Sequence, residues 1–120
     1  MPVRDSRRRY IVFYVLSEQR VHGDEILEAL NESIGRLLGE LGLSRLYFKP
    51  IFFDEEQGEG ILRCDHDDLT DLRAAMSLIG HVGSKNASLM VKGVSGTLRS
   101  ARKKFLSHQS LSETLNPETE

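Results

Sequence analysis

The segment from Arg7 to Ser17, RRRYIVFYVLS, constrains the fold more than any other part of the chain. Its β-branched and aromatic residues are typical of a strand, and no glycine or proline interrupts them. Both alternating sets are apolar, with Ile11 and Phe13 on one side and Tyr10 and Val12 on the other. A strand with two apolar faces must be covered on both. The segment therefore predicts a central strand, with its second face covered by the C-terminal helix or by another protein.

Two helices are predicted downstream of this strand. The first begins at Asp24, a suitable N-cap, and ends at Gly42. Its apolar residues recur at helical spacing and form one stripe. The stripe consists of Ile26, Leu27, Leu30, Ile34, Leu37, Leu38 and Leu41. The second helix follows the capping residues of 65–68 and carries apolar residues at i, i+3, i+7 and i+10, namely Leu69, Leu72, Met76 and Ile79.

Three more strands are predicted. The second, Arg45 to Asp54, is placed at a sheet edge because Pro50 cannot donate a ladder hydrogen bond. An acidic turn leads to the third strand, Gly60 to Asp65, which forms a hairpin with the second. After a predicted loop over Gly80 to Asn86, the fourth strand runs from Ala87 to Lys92.

The order strand, helix, strand, strand, helix, strand, helix predicts an α+β fold. Right-handed crossovers favour a ferredoxin-like split βαβ sandwich, βαββαβ, whose four-stranded antiparallel sheet has its first and third strands in the centre. An extra basic helix follows the last strand. A chain of 120 residues is expected to form one domain, here residues 1–106. The polar residues 107–120 are expected to form a disordered tail.

The final strand leads directly into a strongly basic helix, within the segment LMVKGVSGTLRSARKKFL from Leu89 to Leu106. Ser95 is the expected N-cap, and Gly93 and Gly96 are expected to allow a sharp turn. Leu98 and other apolar residues lie at helical spacing, which leaves the basic residues outward. Residues 85–106 contain no acidic residue and six basic ones: Lys85, Lys92, Arg99, Arg102, Lys103 and Lys104.

The formal net charge of −2 hides a segregated distribution. A basic N-terminus and the basic segment 85–106 flank an acidic middle. This asymmetry indicates a polyanion bound at one surface, while the rest of the chain stays solvated or contacts a protein partner. Merely solvated surface charge is the alternative interpretation.

The sequence provides no recognisable catalytic motif. The cluster CDHDD, residues 64–68, lacks a second pair of ligands with zinc spacing, and helix capping explains its aspartates. The single cysteine, Cys64, agrees with a reducing compartment, and the longest apolar run is too short to cross a bilayer. We expect a cytoplasmic protein without a catalytic residue, a metal ligand or a cofactor of its own.

The loop GVSGT, residues 93–97, places backbone N–H groups at a helix start, where a phosphate is favoured; a simple tight turn is the alternative. The fold also invites comparison with the RNA-recognition motif, whose central strands stack bases on aromatic side chains. Arg63 stands in the third strand where an aromatic residue would be needed. Base stacking in that mode is therefore not expected.

Four motifs, in order and at similar spacing over residues 7–106, resemble the archaeal ribonuclease P protein component 2 family. They are RRYI opening the first strand, LGELG closing the first helix, GILRCD, and GVSGT followed by RKKFL. That family is homologous to a small protein subunit shared by eukaryotic ribonuclease P and the related ribosomal-RNA-processing enzyme.

The resemblance implies a non-catalytic subunit of a ribonucleoprotein endonuclease that removes the 5′ leader of precursor tRNA. It implies hydrolysis by the ribonuclease P RNA with bound magnesium. The implied partners are that RNA, the TIM-barrel protein component 3, other protein subunits, and a second copy within a dimer of heterodimers. The residues expected to contact RNA are Arg7, Arg8, Arg9, Arg63, Lys92, Ser95, Gly96, Arg99, Arg102, Lys103 and Lys104.

Two further hypotheses stay open at this stage. One is a protein-interaction module whose basic helix binds an acidic partner and makes no direct RNA contact. The other is a small-molecule regulatory domain or small phosphatase, which only the fold and the GVSGT loop favour. Hydrolysis of phosphoesters or acyl phosphates by the isolated chain would support the last hypothesis.

Overall fold

A computed structural model describes residues 7–107 of the chain. It is an α+β fold with one antiparallel sheet and three α-helices in the described part. The strands are β1 (Arg8–Ser17), β2 (Phe48–Asp54), β3 (Glu59–Asp65), β4 (His81–Val82) and β5 (Lys85–Ser95). The helices are α1 (Gly23–Arg45), α2 (Leu69–Ser77) and α3 (Leu98–Phe105), with a short 3₁₀ helix at His66–Asp68.

The sheet has the strand order β2-β3-β1-β5-β4. β1 pairs with β3 on one side and with β5 on the other, so the prediction of a central first strand is confirmed. β2 lies at an edge, as Pro50 indicated, and pairs only with β3 among the described strands. The register between β1 and β5 shifts after Val12, which pairs with Gly93 while Phe13 pairs with Val91. Lys92 is therefore the extra residue of a β-bulge.

One face of the sheet is closed by α1 and α2. Ile11 and Phe13 of β1 point into this first core, together with Leu62 and Cys64 of β3. The helices contribute buried apolar side chains from the predicted stripes, together with Ala75. These are Ile26, Leu30 and Ile34 of α1 and Leu72, Ala75 and Met76 of α2.

The opposite face is covered by α3 alone, and this gives a second, smaller core. Tyr10, Val12 and Ile61 of the sheet are buried against Leu98 and Ala101 of the helix, and Leu106 is buried with them. The cover is incomplete. Three apolar side chains further along this face stay exposed, and we call them the apolar strip: Tyr14, Leu16 and Met90, which are 36%, 60% and 41% accessible.

The predicted count of four strands was wrong. The turn around Gly83, which has a φ of 63°, pairs His81 and Val82 with the start of β5, so a fifth strand lies inside the predicted loop. β5 is also longer than predicted and continues to Ser95. The added pairing involves only two residues and is set by the turn, which is why the apolar pattern did not indicate it.

The limits and packing of α1 also differ from the prediction. The helix begins after His22, whose N–H donates to the Glu25 carboxylate at 3.0 Å, and continues past Gly42 to Arg45. Gly39 has a φ of 76° and interrupts it. A change of direction here removes the end of the stripe from the core, and Leu41 is 73% exposed. Helical spacing alone cannot show such a break.

Residues 1–6 and 108–120 lie outside the described part, and the predicted disordered tail falls almost wholly within the second range. The assignment of residues 1–106 to one domain stays a prediction. Within residues 7–107, no helix combines the length and apolar character needed to span a membrane.

Candidate nucleic-acid interface

The basic side of α3 faces outward because its apolar side is anchored in the second core. Leu98 and Ala101 are 2% and 0% accessible, whereas Arg99, Lys103 and Lys104 are exposed. Arg102 is half-buried. An eight-residue helix is too short to be stable by itself, so the apolar contacts fix its position. The helix thus holds several cations in place on a rigid element.

The N-cap of α3 lies two residues later than the sequence indicated. Thr97 is the N-cap, and its Oγ1 accepts a hydrogen bond from the Ser100 N–H at 3.1 Å. The prediction of Ser95 as N-cap was wrong, because β5 continues through Ser95. The Ser95 Oγ instead accepts a bond of 3.5 Å from the Thr97 N–H. Ser95 and Gly96 lie at the junction between β5 and α3, beside the basic helix.

Gly93 is needed for close approach rather than for a sharp turn. Positive φ values in the described part occur only at Gly39, Gly58 and Gly83. A Cβ built on Gly93 would lie 2.3 Å from the Phe105 ring, far inside van der Waals contact. The absence of a side chain at Gly93 therefore lets the end of α3 pack on β5. Gly96, by contrast, has open space where a Cβ would be.

Lys92 forms an ion pair with a buried carboxylate. Its Nζ lies 2.6 Å from Oε2 of Glu59, a residue only 6% accessible. The other carboxylate oxygen, Oε1, accepts a hydrogen bond of 2.9 Å from the Ser107 N–H. The pair therefore ties the bulge of β5 to β3 and to Ser107, the second residue after α3. A buried carboxylate needs such partners, which gives Lys92 a structural role.

Arg8 and Arg9, at the N-terminal end of β1, lie on opposite faces of the sheet, and Arg7 precedes the strand. Arg7 pairs with Asp67 at 2.6 Å and lies 3.8 Å from Asp65. Arg9 is opposite Cys64, which belongs to the first core, and its Nη1 donates to the Arg8 carbonyl at 2.8 Å. Arg8 is one residue away and shares the α3 face with Tyr10. The structure therefore places Arg8, but not Arg9, on the face that carries α3.

Four of the predicted RNA-binding side chains have no ion-pair partner within residues 7–107. They are Arg63, Arg99, Lys103 and Lys104. Arg63 pairs in register with Tyr10, so it lies on the α3 face of the sheet. The α3 face thus carries unneutralised positive charge both on the helix and on the strand beside it.

Lys49 was not among the residues predicted to contact RNA. It lies on β2 directly opposite Arg63, which places it on the same face, and it is exposed. No ion pair involves Lys49 in the described part of the chain. The sequence did place Lys49 in a strand next to β3, which the structure confirms. Its pairing with Arg63 depended on the register, which the sequence did not supply.

The CDHDD cluster forms the entry to α2. The Asp65 side chain accepts a hydrogen bond of 2.9 Å from the His66 N–H, as an N-cap does. Burial, followed by the charges of Asp68 and Asp65, raises the pKa of the Cys64 thiol to about 12. This thiol is therefore neutral at physiological pH. Among residues 7–107, no three histidine, cysteine or acidic side chains converge as a metal site.

Two carboxylates from the acidic middle of the sequence, Glu25 and Glu55, lie at the start of α1, where both contact His22. A hydrogen bond from Lys85 Nζ, 2.8 Å from Oε1 of Glu25, lowers the pKa of that glutamate, and the His22 N–H acts in the same direction. His22 and the Gly23 N–H likewise lower the pKa of Glu55. Both carboxylates are therefore more readily ionised than an unperturbed glutamate. Negative charge at this part of the surface repels other anions.

Fold and surface together define a small α+β protein with one basic face. The model of the Rpp14/Pop5 family matches residues 9–106. A ribonuclease P protein component 2 from Pyrococcus furiosus is 39% identical over 106 residues, with 88% of each chain covered. The corresponding protein from Methanosarcina mazei is 32% identical over 106 residues, covering 88% of this chain and 90% of the relative. The chain belongs to the Rpp14/Pop5 family.

A solved structure agrees with this fold. A chain in the cryo-EM structure of yeast ribonuclease MRP superposes with a TM-score of 0.66. The alignment covers 82% of this chain and 79% of the yeast chain, at 15% sequence identity. At that identity, the likeness concerns the fold.

Proposed function

We propose that this chain is a non-catalytic protein subunit of ribonuclease P. It binds the ribonuclease P RNA and supports removal of the 5′ leader from precursor tRNA. The observation that carries the proposal is the basic side of α3, whose Arg99, Lys103 and Lys104 are exposed and lack ion-pair partners in residues 7–107. Family membership and the names of the relatives support the same assignment.

The chain acts in this proposal by neutralising phosphates. Each lysine or arginine that contacts an RNA phosphate releases a counterion, so affinity falls steeply with salt. A helix anchored by Leu98 and Ala101 presents these charges with little loss of backbone freedom on binding. The RNA, with its magnesium, performs the hydrolysis and makes the complex an endonuclease, whereas this chain supplies no reacting group and holds no cofactor.

The predicted RNA contacts are kept in this proposal, but their weights differ. Arg63, Arg99, Lys103 and Lys104 are the principal contacts, with Arg8, Arg102, Ser95 and Gly96 beside them. Lys92, Arg7 and Arg9 are weaker candidates, because Lys92 and Arg7 are engaged in ion pairs and Arg9 lies on the other face. The charge on these three residues is less available to a phosphate.

A salt titration tests the RNA contact. The chain with Arg99→Gln and Lys103→Gln, two exposed residues one helical turn apart, should lose about 1.4 to 1.8 from the slope of log affinity against log salt. The matched control is Arg45→Gln with Arg73→Gln, which removes the same charge from the α1 and α2 layer. Both variants are compared for binding to ribonuclease P RNA and for cleavage of precursor tRNA by the reconstituted enzyme. Equal slopes for the two variants would remove α3 from the interface.

The proposed protein partners are a TIM-barrel component 3 and other subunits, with a second copy of the chain in a dimer of heterodimers. The apolar strip supports a protein contact on the α3 face, because exposed apolar groups beside a core are typical of interfaces. Leu16→Ser with Met90→Ser should weaken that association, while Leu41→Ser, on α1, should not. The reverse result would place the partner on α1. Sedimentation of the purified mixture measures both.

The alternative function is a protein-interaction module that makes no direct RNA contact. The apolar strip favours it, because the exposed Tyr14, Leu16 and Met90 can be buried against another protein without RNA. Purification of a tagged chain at moderate salt, followed by identification of bound RNA and protein, separates the two. Partners recovered without ribonuclease P RNA would favour the alternative.

The fold class and the cellular compartment complete the proposal. We assign the fold to the ferredoxin-like class, with β4 as an addition, because β1 and β3 lie inside the sheet and every pair is antiparallel. We place the protein in the cytoplasm, where the precursor tRNA substrate and a reduced Cys64 are expected together.

A further inference from the structure

Two cations face each other across the β2–β3 pair, away from the basic helix. Lys49 and Arg63 are direct register partners, so their side chains leave the same face of the sheet with Cβ atoms about 5 Å apart. Like charges directly opposite each other in a sheet are destabilising. The pair therefore has an electrostatic cost that an anion between the two side chains would remove.

The carboxylates of the same face do not neutralise this pair. Glu59 lies four residues before Arg63 on β3 and Asp65 two residues after it, so both share its face. Glu59 is held by Lys92 and by the Ser107 N–H, and Asp65 accepts from the His66 N–H and lies near Arg7. Neither carboxylate forms an ion pair with Arg63.

The pair is aligned with the start of α3. The register joins Lys49 to Arg63, Arg63 to Tyr10, and Tyr10 to Ser95 in one row across four strands. With strands about 4.8 Å apart, this row spans roughly 14 Å. Ser95 is the last residue before the junction with the basic helix. Tyr10 in this row is buried beneath α3, so an extended anion on the outer side of α3 would pass over the helix to reach the Lys49–Arg63 pair on the same face.

We propose that Lys49 and Arg63 form a second phosphate-binding site, through which an RNA strand that contacts α3 continues over the sheet to the β2 edge. This inference rests on the proposed RNA contact and extends it to a residue that the sequence did not indicate. The guanidinium of Arg63 binds a phosphate with two parallel hydrogen bonds, and the ammonium of Lys49 adds a mobile point charge.

The test compares three double variants of the full-length chain, each with two cations changed to glutamine. They are Lys49→Gln with Arg63→Gln, Arg99→Gln with Lys103→Gln, and the control Arg45→Gln with Arg73→Gln. Binding to ribonuclease P RNA, together with the subunits required for assembly, is measured across a range of salt concentrations. The midpoint of thermal unfolding is measured for each variant.

The sheet variant should bind about 10-fold more weakly than the control at moderate salt and lose about 1.4 to 1.8 from the salt slope. Its unfolding midpoint should not fall, because removal of the like-charge pair relieves repulsion. If the α3 variant loses slope while the sheet variant matches the control, the second site is absent and the proposed function stands. If neither variant differs from the control, the proposed RNA contact itself fails.

Discussion

The two faces of the sheet differ in how completely they are closed. On one face, α1 and α2 bury residues such as Ile11, Leu30 and Leu72 completely. On the other, the eight-residue α3 crosses a face of similar extent and leaves the apolar strip on one side and Lys49 with Arg63 on the other. Complete burial of large side chains is thus concentrated on the first face, and the second face keeps exposed apolar and basic side chains of the sheet. The predictions below test this division.

The largest effect on stability is expected from the closed face. Leu30→Ala removes a side chain with no accessible surface and leaves a cavity, so the free energy of unfolding should fall by about 3 kcal/mol. Urea denaturation measures the change. Leu41→Ala is the matched control, because this exposed leucine should change stability by less than about 0.5 kcal/mol. Similar losses for both variants would mean that α1 packs along its whole length.

The next effect concerns the attachment of α3. Gly93→Ala introduces a Cβ into the Phe105 ring and should cost about 2 kcal/mol by overpacking. Adding Phe105→Leu should recover part of the loss, since the smaller side chain vacates the overlap. Gly96→Ala, where a Cβ meets nothing within 4 Å, is the control. A Gly93→Ala protein as stable as the Gly96→Ala protein would show that α3 is not held in this close contact.

A third prediction distinguishes cations of the α3 face that stabilise the fold from those proposed to bind RNA. Lys92→Met leaves the buried Glu59 carboxylate without its lysine, so unfolding free energy should fall by about 1 to 2 kcal/mol with the RNA salt slope unchanged. Lys103→Met should do the opposite, reducing the slope while stability stays within about 0.5 kcal/mol. A reduced slope for Lys92→Met would show that Lys92 contributes to RNA binding as strongly as the exposed cations of α3.

The smallest effect is expected from the surface pair at the start of α1. The pKa of Glu25 is lowered from 4.5, so its ion pair with Lys85 stabilises the fold above that value and is lost as pH falls through the folded pKa. Glu25→Gln should lower the unfolding midpoint slightly at about pH 7 and leave it unchanged at about pH 3. Glu28→Gln serves as the control, because Glu28 is exposed. A constant difference between the Glu25 variant and wild type at both pH values would contradict the ion-pair explanation.

Much of the first face could be predicted because burial is periodic in the sequence. The two-faced apolar pattern of β1 indicated a central strand, and the spacing of Leu72 and Met76 indicated the buried side of α2. The apolar side of α3 was also predicted correctly from Leu98 and Ala101. Local chemistry was less informative: Ser95 and Thr97 are both good N-caps, and only the length of β5 selected Thr97.

The sequence by itself determined that β1 is central, that α3 is basic on one side, and that a basic N-terminus and a basic segment 85–106 flank a middle with net negative charge. Only the tertiary structure decided which carboxylates and cations lie next to one another. Lys92 is neutralised by Glu59 from a different strand, and Lys49 meets Arg63 through strand register. Both contacts join residues far apart in the chain. Spacing along a sequence reports local periodicity, but the pairing of distant charges depends on how the strands align.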